Sequence, residues 1–180
     1  MKKILILSFL GGLCAFSILS CSKIKDKLFP AFESELAEVA ITIPITIAGT
    51  EAIASNTVPV NLDSIIKDYT ENTFGINNLN SVKVKDIGVF LLNADELNDV
   101  SNFETVRVTF SSNTNNAPVV VATVAIPNTP TTNINIQAKE SPELKGYLNG
   151  NQLTYTVNGT ARRTTTKILN ASVLVTLHIK

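Results

Sequence analysis

Tryptophan is absent from the 180 residues, histidine occurs once, and there are only two cysteines and one methionine. A single histidine, His178, three residues from a terminus, leaves little room for a nucleophile–base arrangement. It also leaves no ligand set for zinc, whose sites need several Cys or His donors. There is no excess of charge of either sign, because 15 Lys and Arg stand against 15 Asp and Glu. That balance argues against nucleic acid as a partner, which calls for a strongly basic face. Glycine-rich phosphate loops, nucleophile elbows and dinucleotide fingerprints are missing as well, so no cofactor is expected. What is present in ordinary amount is apolar residue, 44% of the chain, enough for one packed core and too much for disorder.

The N-terminus reads as an address. Met1, Lys2 and Lys3 form a basic start, and residues 4–19 are an apolar run broken by Gly11 and Gly12. The run is shorter than a spanning helix usually needs and has the charge order of a secretory signal. It ends in Ile18, Leu19, Ser20 and Cys21. These residues resemble the lipobox of bacterial lipoproteins. The resemblance implies a signal peptide over residues 1–20, cleavage before Cys21 and lipidation of its sulfur. Cys14 would leave with the signal, so the mature chain would hold no disulfide and would depend on packing alone. Each buried methylene of an acyl chain adds about 0.8 kcal/mol of membrane affinity, so two or three chains anchor firmly. Residues 22–30 follow as a tether with Lys23, Lys25 and Lys27. Ser22, where an inner-membrane retention signal has Asp, favours the outer membrane. The basic rather than acidic tether favours its periplasmic face over the cell surface.

Residues 31–180 read as a single all-β domain. Thr, Asn, Val and Ile dominate, a bias toward pleated surfaces and polar turns. Val39, Ile41, Ile43, Ile45 and Ile47 alternate with period two, and Pro44 places that strand at a sheet edge. Val82 and Val84 share a phase that Ile87, Val89 and Leu91 reverse, which predicts a bulge near Asp86. Further strands are predicted at residues 106–110, at 120–126 with Val120, Ala122, Val124 and Ile126 sharing one phase, at 134–136, at 153–157 and at 173–179. Asn158 and Gly159 supply turn chemistry after residue 157. Leu62, Ile65, Ile66 and Tyr69 share one helical face with Asn61 or Asp63 as the cap. Residues 141–148, with Ser141 as cap, then Pro142 and Glu143, predict one or two helical turns. The expected architecture is an antiparallel β-sandwich of immunoglobulin-like type with two short helical segments, with a small β-barrel as the alternative.

Candidate chemistry is sparse. Asn93, Asp95 and Asp99, with Glu96 among them, make the best oxygen cluster for a hard cation, although a solvated inter-strand loop is the simpler and favoured reading. Arg162, Arg163 and Lys167, set among Thr164, Thr165 and Thr166, form a basic patch that suits an anion or the end of a hairpin. Phe90, Phe110 and Tyr155 lie in apolar stretches and are expected in the core, whereas Tyr69 and Tyr147 are available at the surface. The leading functional expectation is a lipid-anchored, non-enzymatic binding or scaffolding module for an envelope protein, a glycan or an envelope lipid. A carrier holding an apolar ligand beside Val39 and Ile41 is the second reading. A hydrolase using Asp95, Glu96 or Asp99 is the third. Exposed strand edges also suit strand addition, and the oligomeric state is left open.

Overall fold

The computed structural model describes residues 31–180; the signal peptide, Cys21 and the tether lie outside the described residues. The chain folds as two antiparallel sheets packed face to face and not closed into a barrel, so the sandwich expectation holds and the barrel alternative does not. The strands are β1 (Phe32–Glu35), β2 (Val39–Ile43), β3 (Glu51–Pro59), β4 (Val82–Leu91), β5 (Phe103–Ser112), β6 (Val119–Ala125), β7 (Asn133–Gln137), β8 (Gln152–Ala161) and β9 (Leu169–Ile179). One sheet runs β1-β9-β4-β7, with β2 also on β9; the other runs β3-β8-β5-β6. Helix α1 spans Leu62–Tyr69 and helix α2 is a single turn, Lys145–Leu148.

Strict alternation drives the two longest strands inward on one face. Leu169, Ala171, Val173, Val175, Leu177 and Ile179 of β9 are buried, as are Leu153, Tyr155, Val157 and Ala161 of β8. With a side-chain period of two, such strands have only one register that buries their apolar set. In β4 the predicted bulge is present: Val84 pairs with Leu177 and Asp86 with Thr176, leaving Lys85 as the extra residue. A second bulge went unread in the sequence. Val108 pairs with Ala122 but Thr109 with Val120, so Val121 is the extra residue and turns inward while Val120 is exposed. The expected phase of Val120 is therefore reversed.

Three further expectations are corrected. The alternation of residues 39–47 does not continue as a strand, because β2 stops at Ile43 and Pro44 cannot extend a ladder. Ile45 and Ile47 consequently lie at the surface. Asn158 and Gly159 make no turn; they pair with Arg107 and Val106 inside the sheet. Gly159 is needed for packing, since a Cβ there would lie 2.9 Å from the Phe103 ring. Phe90 is not in the core: it lies on the outer face, 42% exposed, with its ring over Gly88. Phe110 and Tyr155 are buried as expected and meet edge to face at 4.8 Å. The Tyr155 hydroxyl has no hydrogen-bond partner, and burial raises its pKa.

At the end where β1 begins, side chains stand in for backbone. Asn61 caps α1 by accepting from the Ser64 N–H (2.9 Å), while Asp63 accepts from the Ile76 N–H (3.0 Å) and pairs with Lys67 (2.6 Å). Leu62 and Ile66 are the buried residues of α1, and Tyr69 stacks on Phe32 at 3.8 Å. Ser141 does not cap a helix. Its Oγ accepts from the Val84 N–H (2.9 Å), and Glu143 accepts from the Val82 N–H (2.8 Å) and the Ser81 hydroxyl (2.6 Å). Residues 138–144 thereby cover the part of β4 that β7 is too short to reach, which is why only one helical turn forms.

Candidate functional site

Four loops meet at the opposite end of the sandwich: residues 44–50, 92–102, 126–132 and 162–168. The candidate cation ligands Asn93, Asp95, Glu96 and Asp99 and the basic residues Arg162, Arg163 and Lys167 all belong to this end, and the fold brings acidic and basic groups into contact. Lys167 pairs with Asp95 at 2.6 Å, and Arg163 lies 3.9 Å from Asp99. The Asp95 carboxyl is lowered to about 2, first by the Lys167 hydrogen bond and then by that of Asn98.

Apart from Glu96, each candidate already has internal partners. Asn93 accepts from the Asn170 N–H (2.8 Å) and donates to the Ile168 carbonyl (3.0 Å), acting as an extra rung of the β4–β9 ladder. Asp99 accepts from both the N–H (2.6 Å) and the hydroxyl (2.5 Å) of Ser101. The Arg162 guanidinium donates to the carbonyls of Ser101 (2.9 Å) and Ile126 (2.7 Å). Arg163 donates to Ser101 Oγ at 2.5 Å. An arginine held this way fixes loops together rather than offering its fork to an anion. Among the described residues, no group of three or more His, Cys, Asp and Glu stands close enough to hold a metal ion. Asp95, Glu96 and Asp99 do line a shallow cleft of about 220 Å³ with Pro130 and Thr131. There Asp95 is occupied by Lys167, Asn98 and the Leu97 N–H.

The remaining bonds weave the loops into one body. Thr46 N–H donates to Thr165 Oγ1 (2.8 Å), and Thr165 N–H returns to the Thr46 carbonyl (2.9 Å). Asn98 accepts from the Thr166 N–H at 2.7 Å. Asn102 accepts from the Asp99 N–H (3.0 Å) and donates to the Leu97 carbonyl (3.0 Å), while its own carbonyl receives the N–H groups of Arg162 and Arg163. The roles of Thr46, Asn98, Thr165 and Thr166 are not legible in the sequence, since the Thr46–Thr165 and Asn98–Thr166 bonds join residues 119 and 68 positions apart.

The outcome is a reversal of the usual polarity. Nine described polar residues are buried, and six of them sit here: Thr46, Asn98, Asp99, Ser101, Asn102 and Thr165. The outside carries Ile45, Ile47, Leu92, Leu97 and Ile168, exposed by 57%, 66%, 66%, 69% and 53%. Single exposed aliphatics are commonplace; these five stand on adjoining, hydrogen-bonded loops and form what we term the apolar crown. None of the five was singled out in the sequence as a site. Between the sheets, by contrast, the cavity lined by Ile43, Ala52, Leu91 and Phe103 is about 30 Å³.

No protein-family model matches the chain, and no curated protein matches it. Among solved structures it is similar to that of the infectious bursal disease virus Gx strain, at 7% identity and TM-score 0.36 over 83% of this chain and 33% of the other. It is also similar to the cyanophage Pam1 capsid, at 13% identity and TM-score 0.36 over 82% and 84%. A family 29 carbohydrate-binding module matches at 6% identity and TM-score 0.32 over 83% and 92%. The chain spans only a third of the bursal virus structure's length. Likenesses this distant say nothing of what the chain binds. No helix among the described residues is long and apolar enough to cross a membrane.

Proposed function

We propose that the protein is a non-enzymatic binding module, tied to the cell envelope through a lipid on Cys21, that holds a protein partner with its loop end. The observation that carries this reading is the reversed polarity: a buried polar lattice fixes the loops, and aliphatic side chains are left outside. Fixed loops lose little conformational entropy on binding, which is the main cost a rigid surface avoids. The crown contains no aromatic ring to stack on a sugar, which favours a protein over a glycan. The nearby cations are held by Asp95, Asp99 and backbone carbonyls, which disfavours lipid headgroups as the ligand. An inter-sheet cavity of about 30 Å³ gives no support to an acyl-chain carrier. Phe32 pairs with Ile179 and β9 has 11 residues, so the crown stands about 35 Å from Phe32.

Photo-crosslinking residues placed at Leu97 and at Ile47 in intact envelopes are expected to trap the same protein, and one placed at Thr57 on β3 is expected not to. Equal capture from Thr57, or no adduct from either crown position, contradicts the reading. Cys21→Ser is expected to abolish fatty-acid labelling and leave an uncleaved precursor. Label retained by that variant would remove the anchor.

A further inference from the structure

Two asparagines in this chain precede a glycine, Asn149 before Gly150 and Asn158 before Gly159, and the fold treats them oppositely. In such a dipeptide the backbone nitrogen of the glycine can attack the asparagine side-chain amide, because no Cβ stands in the way. Whether it does so depends on the freedom of the peptide unit that joins them. Asn158 and Gly159 lie inside β8, which is paired with β3 on one side and β5 on the other. Gly159 stands opposite Ala52 and Val106, against the Phe103 ring, and Asn158 Oδ1 is buried. Bringing the Gly159 nitrogen onto Asn158 Cγ therefore requires the ladder to open.

Asn149 and Gly150 lie in the link between α2 and β8. Asn149 ends the single turn of α2 and is exposed. Among the described residues, neither its side-chain amide nor the peptide unit it shares with Gly150 makes a hydrogen bond. The link is held only at its ends: Leu148 N–H donates to the Leu144 carbonyl (3.1 Å), and the Asn151 carbonyl accepts from the Val60 N–H (3.1 Å). Glycine is also forced at 150. A Cβ there would lie 2.1 Å from Asn113 Oδ1, which accepts from the Gln152 N–H (3.3 Å). The fold thus keeps a glycine behind an asparagine that nothing holds.

We infer that Asn149 is a site of spontaneous deamidation. The Gly150 nitrogen, having lost its proton to hydroxide, attacks Asn149 Cγ. The new N–Cγ bond closes a succinimide and the Cγ–Nδ2 bond breaks, the nitrogen leaving as ammonia with a proton from water. A second water opens the ring at either carbonyl and returns aspartate or isoaspartate. Amide and water become acid and ammonia, and no oxidant or reductant takes part. Either product carries a new negative charge. The isoaspartyl form also adds a methylene to the main chain just before Asn151, whose side chain accepts from the Asn113 amide (2.8 Å). The change falls where β8 begins, and the crown lies at the end where β8 finishes.

The test is peptide mapping by mass spectrometry of the full chain held folded in mildly alkaline buffer, with a sample in concentrated urea alongside. In the folded chain the Asn149 peptide is expected to gain an acid, as two isomers that separate on chromatography, and faster as pH rises. The Asn158 peptide is expected to keep its amide there and to lose it in urea. Asn149→Gln, which would have to close a larger ring, is expected to keep its amide, with circular dichroism unchanged. A folded chain that retains the Asn149 amide overturns the inference. So does conversion of Asn158 as fast as Asn149 without urea, or of Asn149→Gln as fast as the wild type. These outcomes are read at residues 149 and 158 alone and bear on neither the lipid on Cys21 nor capture of a partner from Leu97.

Discussion

The body of the sandwich and its loop end obey opposite rules. In the body, leucine, isoleucine and valine face one another between the sheets, and threonine and asparagine face water. At the loop end, threonine, asparagine, aspartate and serine are buried, while isoleucine and leucine face outward. Burial of apolar surface is non-directional and tolerates small shifts. A buried hydrogen-bond lattice is directional, and each unmade bond leaves a desolvated group without compensation. The body is therefore built for stability and the loop end for a fixed shape. A scaffold whose stability comes from elsewhere can display an apolar surface without collapsing around it.

Substitutions in the two regions should separate these roles. The largest loss is expected for Leu177→Ala, which empties a fully buried position on β9. Chemical denaturation should show about 3–4 kcal/mol of destabilisation, the range for a leucine cavity that neighbours only partly refill. Asn102→Ala should cost less, about 2 kcal/mol, because it strands the Asp99 N–H and the Leu97 carbonyl rather than opening the core. Unlike the core variant, it should also change the amide spectrum of residues 97–102 and 162–166 while leaving β8 and β9 unmoved. The smallest global effect is expected for Lys167→Met, which removes the main cause of the lowered Asp95 pKa. A carboxyl whose folded value is depressed stabilises above its ordinary value and loses that contribution as pH falls through the folded one. A carboxyl NMR titration should place Asp95 near about 2 in the wild type, moving up toward the ordinary value of 3.8 in Lys167→Met. Both partners are substantially exposed, so solvent screening keeps overall stability nearly constant.

The body was largely legible in the sequence because its information is local. Alternation alone placed β4 with its bulge, β5, β8 and β9. It failed where the pattern is weak or misleading. In β3 the inward residues include Ala52 and Ala54, too small to announce a buried face, and β1 is only four residues long. In β6 the bulge at Val121 shifts the phase within an unbroken run of valine and alanine, which no hydropathy pattern marks. After Ile43 the isoleucine alternation persists through residue 47 although the strand has ended.

The loop end was legible as a set of residues and illegible as a structure. Asp95 and Lys167, or Thr46 and Thr165, are partners because strands far apart in sequence close on the same end of the sandwich. Charge and amide patterns within each loop suggested separate cation and anion sites. Only their juxtaposition reveals that they neutralise one another, and that the aliphatic side chains beside them are what the end presents to solvent.

Hydrogen exchange of the full chain, read amide by amide, tests the rigid loop end most directly. The account predicts that the N–H groups of Thr46, Asp99, Asn102, Thr165 and Thr166 are protected to a degree comparable with the paired amides of β8. It predicts fast exchange for the exposed N–H of Asn116, in the turn before β6. If those five amides instead exchange as fast as that turn, the lattice does not hold the loops, and the crown is not a preformed surface.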